Sequence, residues 1–202
     1  MAEGRYIALE GGEGTGKSTH ARRLADALDA VITHEHGGTP IGALIRAILA
    51  DPANADLTDK AEALLIAADR AQHLEELVAP ALAAGRHVVS DRSVYSSLAY
   101  QGYGRGLPID KVRAINDWAV GGRWPDLVVL LEVPPGQLAR RLHQRALDRF
   151  EQAGPDFHER VAAGFRTLAA AEPDRWAVVP AEGSIAQVDG RIREVVQERL
   201  GL

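Results

Sequence analysis

The sequence predicts an α/β fold in which a five-stranded parallel sheet is flanked by helices. Three observations support this prediction: five short apolar runs, longer segments of helical periodicity between them, and a glycine-rich loop directly after the first run. Apolar runs that do not alternate with polar residues are typical of strands buried on both faces, and helices between them imply parallel crossovers. A length of 202 residues suits one domain, which we expect over residues 1–202.

The predicted elements follow one another in a regular order. Strands are predicted at residues 6–9, 31–33, 87–90, 127–131 and 176–179. Helices are predicted at about residues 17–28, 58–84, 108–120, 138–149, 155–171 and 184–200. Because ligands bind at the carboxyl ends of the strands in such sheets, the residues that follow each strand are the candidates for a functional site.

The composition excludes several classes of function. The formal net charge is −5 and the chain has no cysteine. It therefore lacks the global basic field that attracts nucleic acid or anionic membranes, and it can form neither disulfides nor thiolate metal sites. Glu3 and Arg5 lead directly into the first strand, and no apolar run approaches the length of a membrane span. We expect a cytoplasmic protein without a signal peptide.

The glycine-rich loop carries the strongest functional signal. It consists of Gly11, Gly12, Glu13, Gly14, Thr15, Gly16, Lys17, Ser18 and Thr19. Glycines let backbone N–H groups point at a polyphosphate, and the following helix adds the positive end of its dipole. In this pattern Lys17 reaches the β- and γ-phosphates, and the hydroxyl of Ser18 ligates Mg²⁺. With a strand before it and a helix after it, the loop predicts binding of a nucleoside triphosphate rather than a glycine-rich turn without a ligand.

The third predicted strand ends at Asp91 and Arg92, on the same edge of the sheet as the glycine-rich loop. There Asp91 can hold Mg²⁺ through water and Arg92 can bind a phosphate, although a structural salt bridge between the two is an alternative. The polar and aromatic stretch that follows, residues 96–106, is predicted to run from a helix into a glycine-rich turn. Its side chains are of the kinds that recognise a heterocycle.

Two further groups of charged residues leave alternatives open. Arg70 lies in the apolar stripe of the predicted helix 58–84 and needs an anion, which can be a protein carboxylate or a substrate phosphate. His34 and His36 flank Glu35 after the second strand, but no third ligand is evident, so we interpret them as loop residues rather than a metal site.

An arginine-rich segment precedes the last two helices. Arg141, Arg145 and Arg149 stand one helical turn apart beside Arg140. Such a charge run is either a solvated helix face or a lid, at about residues 138–152, that brings guanidinium groups to a transferring phosphate.

Taken in order, these segments resemble the thymidylate kinases, which are P-loop nucleoside monophosphate kinases. Residues 9–19 resemble the family's phosphate loop, and residues 68–73 resemble its substrate-side helix. Residues 90–92 with 96–106 resemble its longest signature. Residues 148–151, followed by Phe157 and Arg160, are similar to its lid and the next helix. The resemblance covers nearly the whole chain.

The resemblance implies a homodimer that transfers the γ-phosphoryl group of ATP to dTMP with Mg²⁺, giving dTDP. ATP would be bound by residues 11–19 and by Arg149 near the adenine. The acceptor would be bound by Glu13, Glu35, Ile66, Arg70, Arg92, Ser97, Tyr100 and Gln101. In this set Arg70 and Arg92 would hold the phosphate, Glu13 would approach the 3′-hydroxyl, Tyr100 would lie against the deoxyribose, and Ser97 and Gln101 would meet the thymine edge. The catalytic residues would be Lys17, Asp91, Arg92 and the lid arginines, here Arg145 with Arg140 or Arg141.

The sequence also departs from the family pattern. His34 and His36 replace an arginine and a proline, Ile66 stands where a phenylalanine usually stacks on thymine, and Ser93 replaces a tyrosine. Two alternatives therefore remain: a kinase of the same fold for another, modified pyrimidine nucleoside monophosphate, and a nucleotide-binding switch that is not a kinase.

Overall fold

A computed structural model of the chain describes residues 3–134 and 148–202. Five strands form one sheet in which every pairing is parallel. They are β1 (Tyr6–Glu10), β2 (Val31–His34), β3 (Val88–Asp91), β4 (Leu127–Glu132) and β5 (Trp176–Pro180), arranged in the order β2-β3-β1-β4-β5. The predicted fold class and all five predicted strands are confirmed.

Helices connect the strands. The α-helices in the described ranges are α1 (Lys17–Leu28), α2 (Pro40–Ala50), α3 (Asp59–His73), α4 (Ala79–Ala83), α5 (Val94–Ser97), α6 (Ile109–Val120), α7 (Pro155–Ala171) and α8 (Ile185–Leu200). Two π-helical segments, Leu74–Val78 and Leu98–Gly104, continue α3 and α5, and short 3₁₀ turns occupy Pro52–Asn54 and Glu151–Ala153. Of the helices described here, none has the length and apolar character needed to cross a membrane.

The sheet is buried on both faces, as the apolar runs predict. Tyr6, Val128 and Leu130 belong to the hydrophobic cluster on one face, which also contains residues of α3, α6 and α7. Ile7 and Leu9 belong to the cluster on the other face, which contains residues of α1 and α8. Neighbouring residues of β1 therefore point into opposite cores, because side chains alternate across a strand.

Helix α2 was not among the predicted elements. It begins after Thr39, whose hydroxyl accepts a hydrogen bond from the backbone N–H of Gly42 at 3.0 Å, and Pro40 occupies its first turn. Both features are typical of the first turn of a helix. Its apolar residues recur at helical spacing in the sequence, although in the structure Leu49 is buried whereas Ile41, Leu44 and Ile48 are exposed.

The prediction of a glycine-rich turn within residues 96–106 is wrong for most of that segment. Residues Leu98–Gly104 are helical, and two of the glycines serve close packing instead of a turn. A Cβ atom on Gly102 would lie 2.4 Å from Cδ1 of Ile109, and one on Gly104 would lie 2.7 Å from Cε2 of Phe157. The chain turns only afterwards, at Gly106, where φ is 76°.

The predicted helix over residues 138–149 lies outside the described residues except for its end. The long predicted helix over residues 58–84 is confirmed as α3, a π-helical segment and α4 in direct succession.

The close approach at Gly104 predicts opposite effects for two glycine substitutions. Gly104→Ala should lower the free energy of unfolding by about 1–3 kcal/mol, because the new methyl group would collide with Phe157 and Val161. Gly190→Ala, in α8, meets no atom within 4 Å and should instead raise stability by about 0.5–1 kcal/mol through helix propensity. Urea denaturation followed by circular dichroism measures both, and a Gly104→Ala variant as stable as the wild type would contradict the packing.

Candidate active site

A cavity of about 650 Å³ opens at the carboxyl edge of the sheet. The register brings three strand ends together there, since Asp91 pairs with Leu9 of β1 and with His34 of β2. Of the residues predicted for the site, those that line the cavity are Glu13, Gly14, Gly16, Lys17, Ser18, Thr19, Glu35, Ile66, Arg70, Asp91, Arg92, Ser97, Tyr100 and Gln101. Those described outside its lining are Gly11, Gly12, Thr15 and Arg149, whereas Arg140, Arg141 and Arg145 lie outside the described residues.

The glycine-rich loop joins β1 to α1 with three glycines at positive φ. The values are 144° at Gly11, 72° at Gly14 and 94° at Gly16, a region that favours glycine. At Gly11 a Cβ atom would also lie 2.7 Å from the carbonyl oxygen of Leu131. The loop therefore needs glycine at these positions both for its backbone conformation and for its contact with β4.

Lys17 begins α1, and its side chain folds back over the loop. Its Nζ donates a hydrogen bond to the carbonyl oxygen of Gly12 at 2.7 Å, and the residue is buried. Burial lowers the pKa of Lys17 to about 8, and Arg92 acts in the same direction, while Glu13 and Asp91 oppose the shift. The ammonium group is thus held in a site that lacks enough negative charge to stabilise it fully.

Ser18 and Asp91 form a pair of oxygen groups beside the loop. The Ser18 hydroxyl donates a hydrogen bond to Oδ2 of Asp91, and Oδ1 of Asp91 is buried without a hydrogen-bond partner in the described ranges. A hydroxyl and a carboxylate next to a phosphate loop fit Mg²⁺, which keeps several waters and takes few protein ligands. Residues 3–134 and 148–202 contain no group of three or more His, Cys, Asp or Glu side chains that could hold a metal ion.

Arg92 follows β3 and has a left-handed backbone conformation, with φ at 73°. Its guanidinium group donates hydrogen bonds to the Glu13 carboxylate, to the Tyr100 hydroxyl at 2.9 Å and to the Ser96 hydroxyl at 3.2 Å. Burial alone would lower the pKa of Arg92, but Glu13 and other acidic neighbours raise it well above its ordinary value. Burial alone would likewise raise the pKa of Glu13, but Arg92 and Lys17 bring it down to about 2. Arg92 and Glu13 are therefore an ion pair at the cavity wall.

Arg70 is one of the most completely buried large side chains, with an exposed fraction of 2%. Its Nε donates to Glu35 at 2.7 Å, and its other nitrogens donate to the Ser97 hydroxyl at 2.8 Å, to the Asn116 amide oxygen and to the Ser93 carbonyl. Burial alone would raise the pKa of Glu35, but Arg70 and His73 hold it below its ordinary value. The sequence left two anions possible for Arg70, a protein carboxylate or a substrate phosphate. In the structure, the carboxylate of Glu35 is its partner.

Another part of the cavity lining combines apolar and polar groups. Ile66, Tyr100 and Gln101 line it, and the Gln101 Nε2 donates to Glu62 at 2.8 Å. The ring of His36 lies 5.6 Å from the ring of Phe150, and both residues line the same cavity. Burial lowers the pKa of His36 to about 3, and Arg46 acts in the same direction. This imidazole is neutral at neutral pH.

Arg149, expected near an adenine, is bound to the protein instead. Its Nη2 donates to Glu62 at 2.5 Å and its Nε donates to the Leu49 carbonyl at 2.9 Å. The guanidinium group therefore ties the segment that starts at Asp148 to α2 and α3, and it lies outside the cavity lining.

Sequence reasoning missed two fully buried carboxylates beside the site, Glu10 and Glu62. Glu10 accepts hydrogen bonds from the backbone N–H and the hydroxyl of both Ser93 and Ser96. Burial raises its pKa, while Arg92 and the two serine hydroxyls lower it. A glutamate that continues an apolar run, as Glu10 continues residues 6–9, was the available signal. Glu62 gave no comparable signal, because its partners lie far away along the chain.

Comparisons with known proteins agree with this geometry. A family model described as thymidylate kinase matches residues 9–192. A thymidylate kinase of Synechococcus sp. (strain JA-2-3B'a(2-13)) is 47% identical, with 98% of this chain and 96% of the relative covered. One from Chromobacterium violaceum is 46% identical, with 95% and 93% covered. The crystal structure of a thymidylate kinase from Ehrlichia chaffeensis superposes with a TM-score of 0.80 at 27% identity, covering 96% of this chain and 99% of the other. With the family model matching nearly all of it, the chain belongs to the thymidylate kinase family.

Proposed function

We propose that this chain transfers the γ-phosphoryl group of ATP to dTMP, giving ADP and dTDP for dTTP synthesis. The observation that carries the proposal is that one cavity is lined both by the glycine-rich loop with Lys17 and by residues expected to bind the acceptor, Arg92 among them. A phosphoryl transfer needs two anionic substrates placed in line and cations that cancel their charge, and little covalent chemistry from the protein. The two alternatives, a kinase for another pyrimidine nucleotide and a switch, are not favoured by the comparisons.

On the donor side, residues 11–19 would bind the ATP phosphates, with Lys17 at the β- and γ-phosphates. Ser18 and Asp91 would hold Mg²⁺, Asp91 partly through water, and their oxygens suit that ion. Held by Ser18 and Asp91, the ion would supply positive charge that neutralises charge developing on the transferring phosphoryl group.

On the acceptor side, Arg92 is the best placed phosphate ligand, because its guanidinium group is partnered at the cavity wall rather than enclosed. Arg70 is already paired with Glu35, so we propose that the two bind the acceptor as one neutral unit at the floor of the cavity. Glu13 and Tyr100 would meet the sugar. Ser97, Gln101 and Ile66 would meet the base.

The arginines of the lid remain predictions. Arg145, with Arg140 or Arg141, would stabilise the transferring phosphoryl group, and Arg149 would leave Glu62 to approach the adenine. A lid that closes would also exclude water, which competes as an acceptor.

We also propose that the chain works in the cytoplasm as a homodimer. Ile41, Leu44 and Ile48 are spaced along one face of α2 and are exposed, and α2 packs on α3, which packs on α6. Leu64 on α3 and Trp118 on α6 are exposed as well, the latter by 88%. Apolar residues exposed on three adjacent helices indicate an interface, and a second copy of the chain is the partner that the family suggests.

The first test is an assay of ADP formation from Mg-ATP with dTMP, dUMP, UMP, dCMP, dGMP and AMP as acceptors. We expect the highest kcat/KM with dTMP, because the phosphate, sugar and base contacts all suit it. Arg92→Ala should lower kcat/KM for dTMP by roughly 10³-fold, since it removes a guanidinium group from the acceptor phosphate. The affinity for ATP should stay nearly the same.

Arg5→Ala is the matched control, because Arg5 pairs with Asp126 at the opposite end of β1. A different preferred monophosphate would move the acceptor assignment to another nucleotide. No turnover with any of them would favour the switch, and an Arg92→Ala enzyme with normal efficiency would remove Arg92 from the acceptor site.

Binding of Mg-ATP should be accompanied by proton uptake between about pH 8 and pH 10. The pKa of Lys17 is lowered to about 8, and neighbouring phosphates raise it again, so the bound protein holds more protons in this range. Calorimetry in two buffers of different ionisation enthalpy measures the uptake. Lys17→Arg, whose guanidinium group does not titrate, should abolish it. Equal uptake by the wild type and this variant would assign the proton to another group.

Leu44→Glu should convert the dimer into a monomer, because it places a charge in the centre of the exposed apolar face of α2. Sedimentation velocity of the wild type and the variant measures the change. Ile185→Glu, another exposed apolar residue at the start of α8, is the control and should leave the dimer intact. A monomeric wild type would contradict the proposed assembly.

A further inference from the structure

Glu62, on α3, lies next to Gln101, which lines the cavity. It has an exposed fraction of 0%, and three side chains from other parts of the chain converge on its carboxylate. Arg105 donates to it at 3.0 and 3.2 Å, Arg149 at 2.5 Å, and Gln101 Nε2 at 2.8 Å. A carboxylate shared by two guanidinium groups can only accept hydrogen bonds.

This contact determines which way the Gln101 amide faces. An amide has one donor end and one acceptor end, and Glu62 offers only acceptor atoms, so the NH₂ group must face Glu62. The carbonyl oxygen Oε1 is left on the other side. Gln101 lines the cavity, is 1% exposed, and its Oε1 makes no hydrogen bond within the described ranges of the chain.

We propose that Glu62 is a positioning residue that sets acceptor specificity by fixing the Gln101 amide with its oxygen toward the base. This inference rests on the proposed function and deepens it. A fixed acceptor at this point favours a base edge with an N–H donor, such as the N3–H of thymine or uracil. Cytosine presents a ring nitrogen lone pair at the same position, so two acceptors would face each other without a proton.

The pair dUMP and dCMP tests this selection, because both lack the methyl group of thymine. We expect the wild type to favour dUMP over dCMP by at least about 100-fold in kcat/KM, as expected where a wrong base leaves a buried polar group unpaired. Gln101→Met, which removes the amide but leaves Glu62 and both arginines in place, should reduce this ratio to within about tenfold.

Glu62→Gln should also reduce the ratio, because a second amide can offer either end and lets Gln101 turn its NH₂ group toward cytosine. In the Gln101→Met background it should have no further effect on the ratio, which a purely structural role would not predict. Glu172→Gln is the matched control, since Glu172 binds Arg113 and Arg175 next to Tyr95 and has no contact with Gln101. It should keep the wild-type ratio.

A folded Glu62→Gln enzyme with the wild-type ratio would overturn the proposal. If Glu62→Gln does not fold, NMR of the wild type tests whether Glu62 holds the Gln101 amide. The through-hydrogen-bond coupling between Gln101 Nε2 and the Glu62 carboxylate carbon should persist in the dTMP complex, and its loss on adding dTMP would overturn the proposal. A wild type that does not phosphorylate dTMP would refute the proposed function. The two failures can be told apart, because the coupling in the free protein is measured without turnover.

Discussion

The side of the cavity proposed to bind the acceptor depends on the backbone of Arg92. A residue with a side chain is strained at a φ of 73°, by roughly 1–2 kcal/mol, so neighbouring groups must hold it there. The Arg92 N–H donates to the Leu9 carbonyl at 2.9 Å, and its carbonyl accepts from the Ser90 hydroxyl at 2.7 Å. The next residue, Ser93, is fixed by Glu10 through two hydrogen bonds of 2.8 Å. Glu10 is also the last residue of β1, directly before the phosphate loop. The end of β1 therefore anchors both the loop and the segment that carries Arg92.

Two of the three buried cations at the cavity are paired with carboxylates, and the pairing explains their different roles. Arg70 with Glu35 is enclosed, and removing one partner would leave the other charge buried and unpaired. Arg92 with Glu13 lies at the wall, where a phosphate can replace the carboxylate as partner. Within residues 3–134 and 148–202, the Lys17 ammonium group donates a hydrogen bond only to the Gly12 carbonyl, and burial together with Arg92 lowers its pKa to about 8. Of the buried cations Arg70, Arg92 and Lys17, the one whose hydrogen-bond partner is not a carboxylate is therefore Lys17, beside the phosphate loop.

The sequence predicted the sheet more accurately than the site. Each of the five strands ends one residue after its apolar run, because the strand pairing continues through one more residue, which is Glu10, His34, Asp91, Glu132 or Pro180. Helix α2 was not predicted, although its apolar residues recur at helical spacing. The glycines at 102 and 104 were interpreted as a turn because glycine clusters are typical of turns, whereas they pack against Ile109 and Phe157. Local patterns identified the phosphate loop, Asp91 and Arg92. The networks of Glu10 and Glu62 depend on long-range contacts and could not be read from such patterns.

The departures from the family pattern are compensated locally. Ser93, in place of a tyrosine, is fully buried, and its hydroxyl both donates to Glu10 and accepts from the Tyr95 N–H at the start of α5. Ile66 supplies no aromatic face to a base, but the same cavity is lined by His36 and Phe150, whose rings lie 5.6 Å apart. Because burial keeps His36 neutral at neutral pH, its ring can pack against a neutral base without bringing a charge into the pocket. The cavity thus keeps aromatic surface although Ile66 has none, which suits the uncharged pyrimidine proposed as its acceptor base.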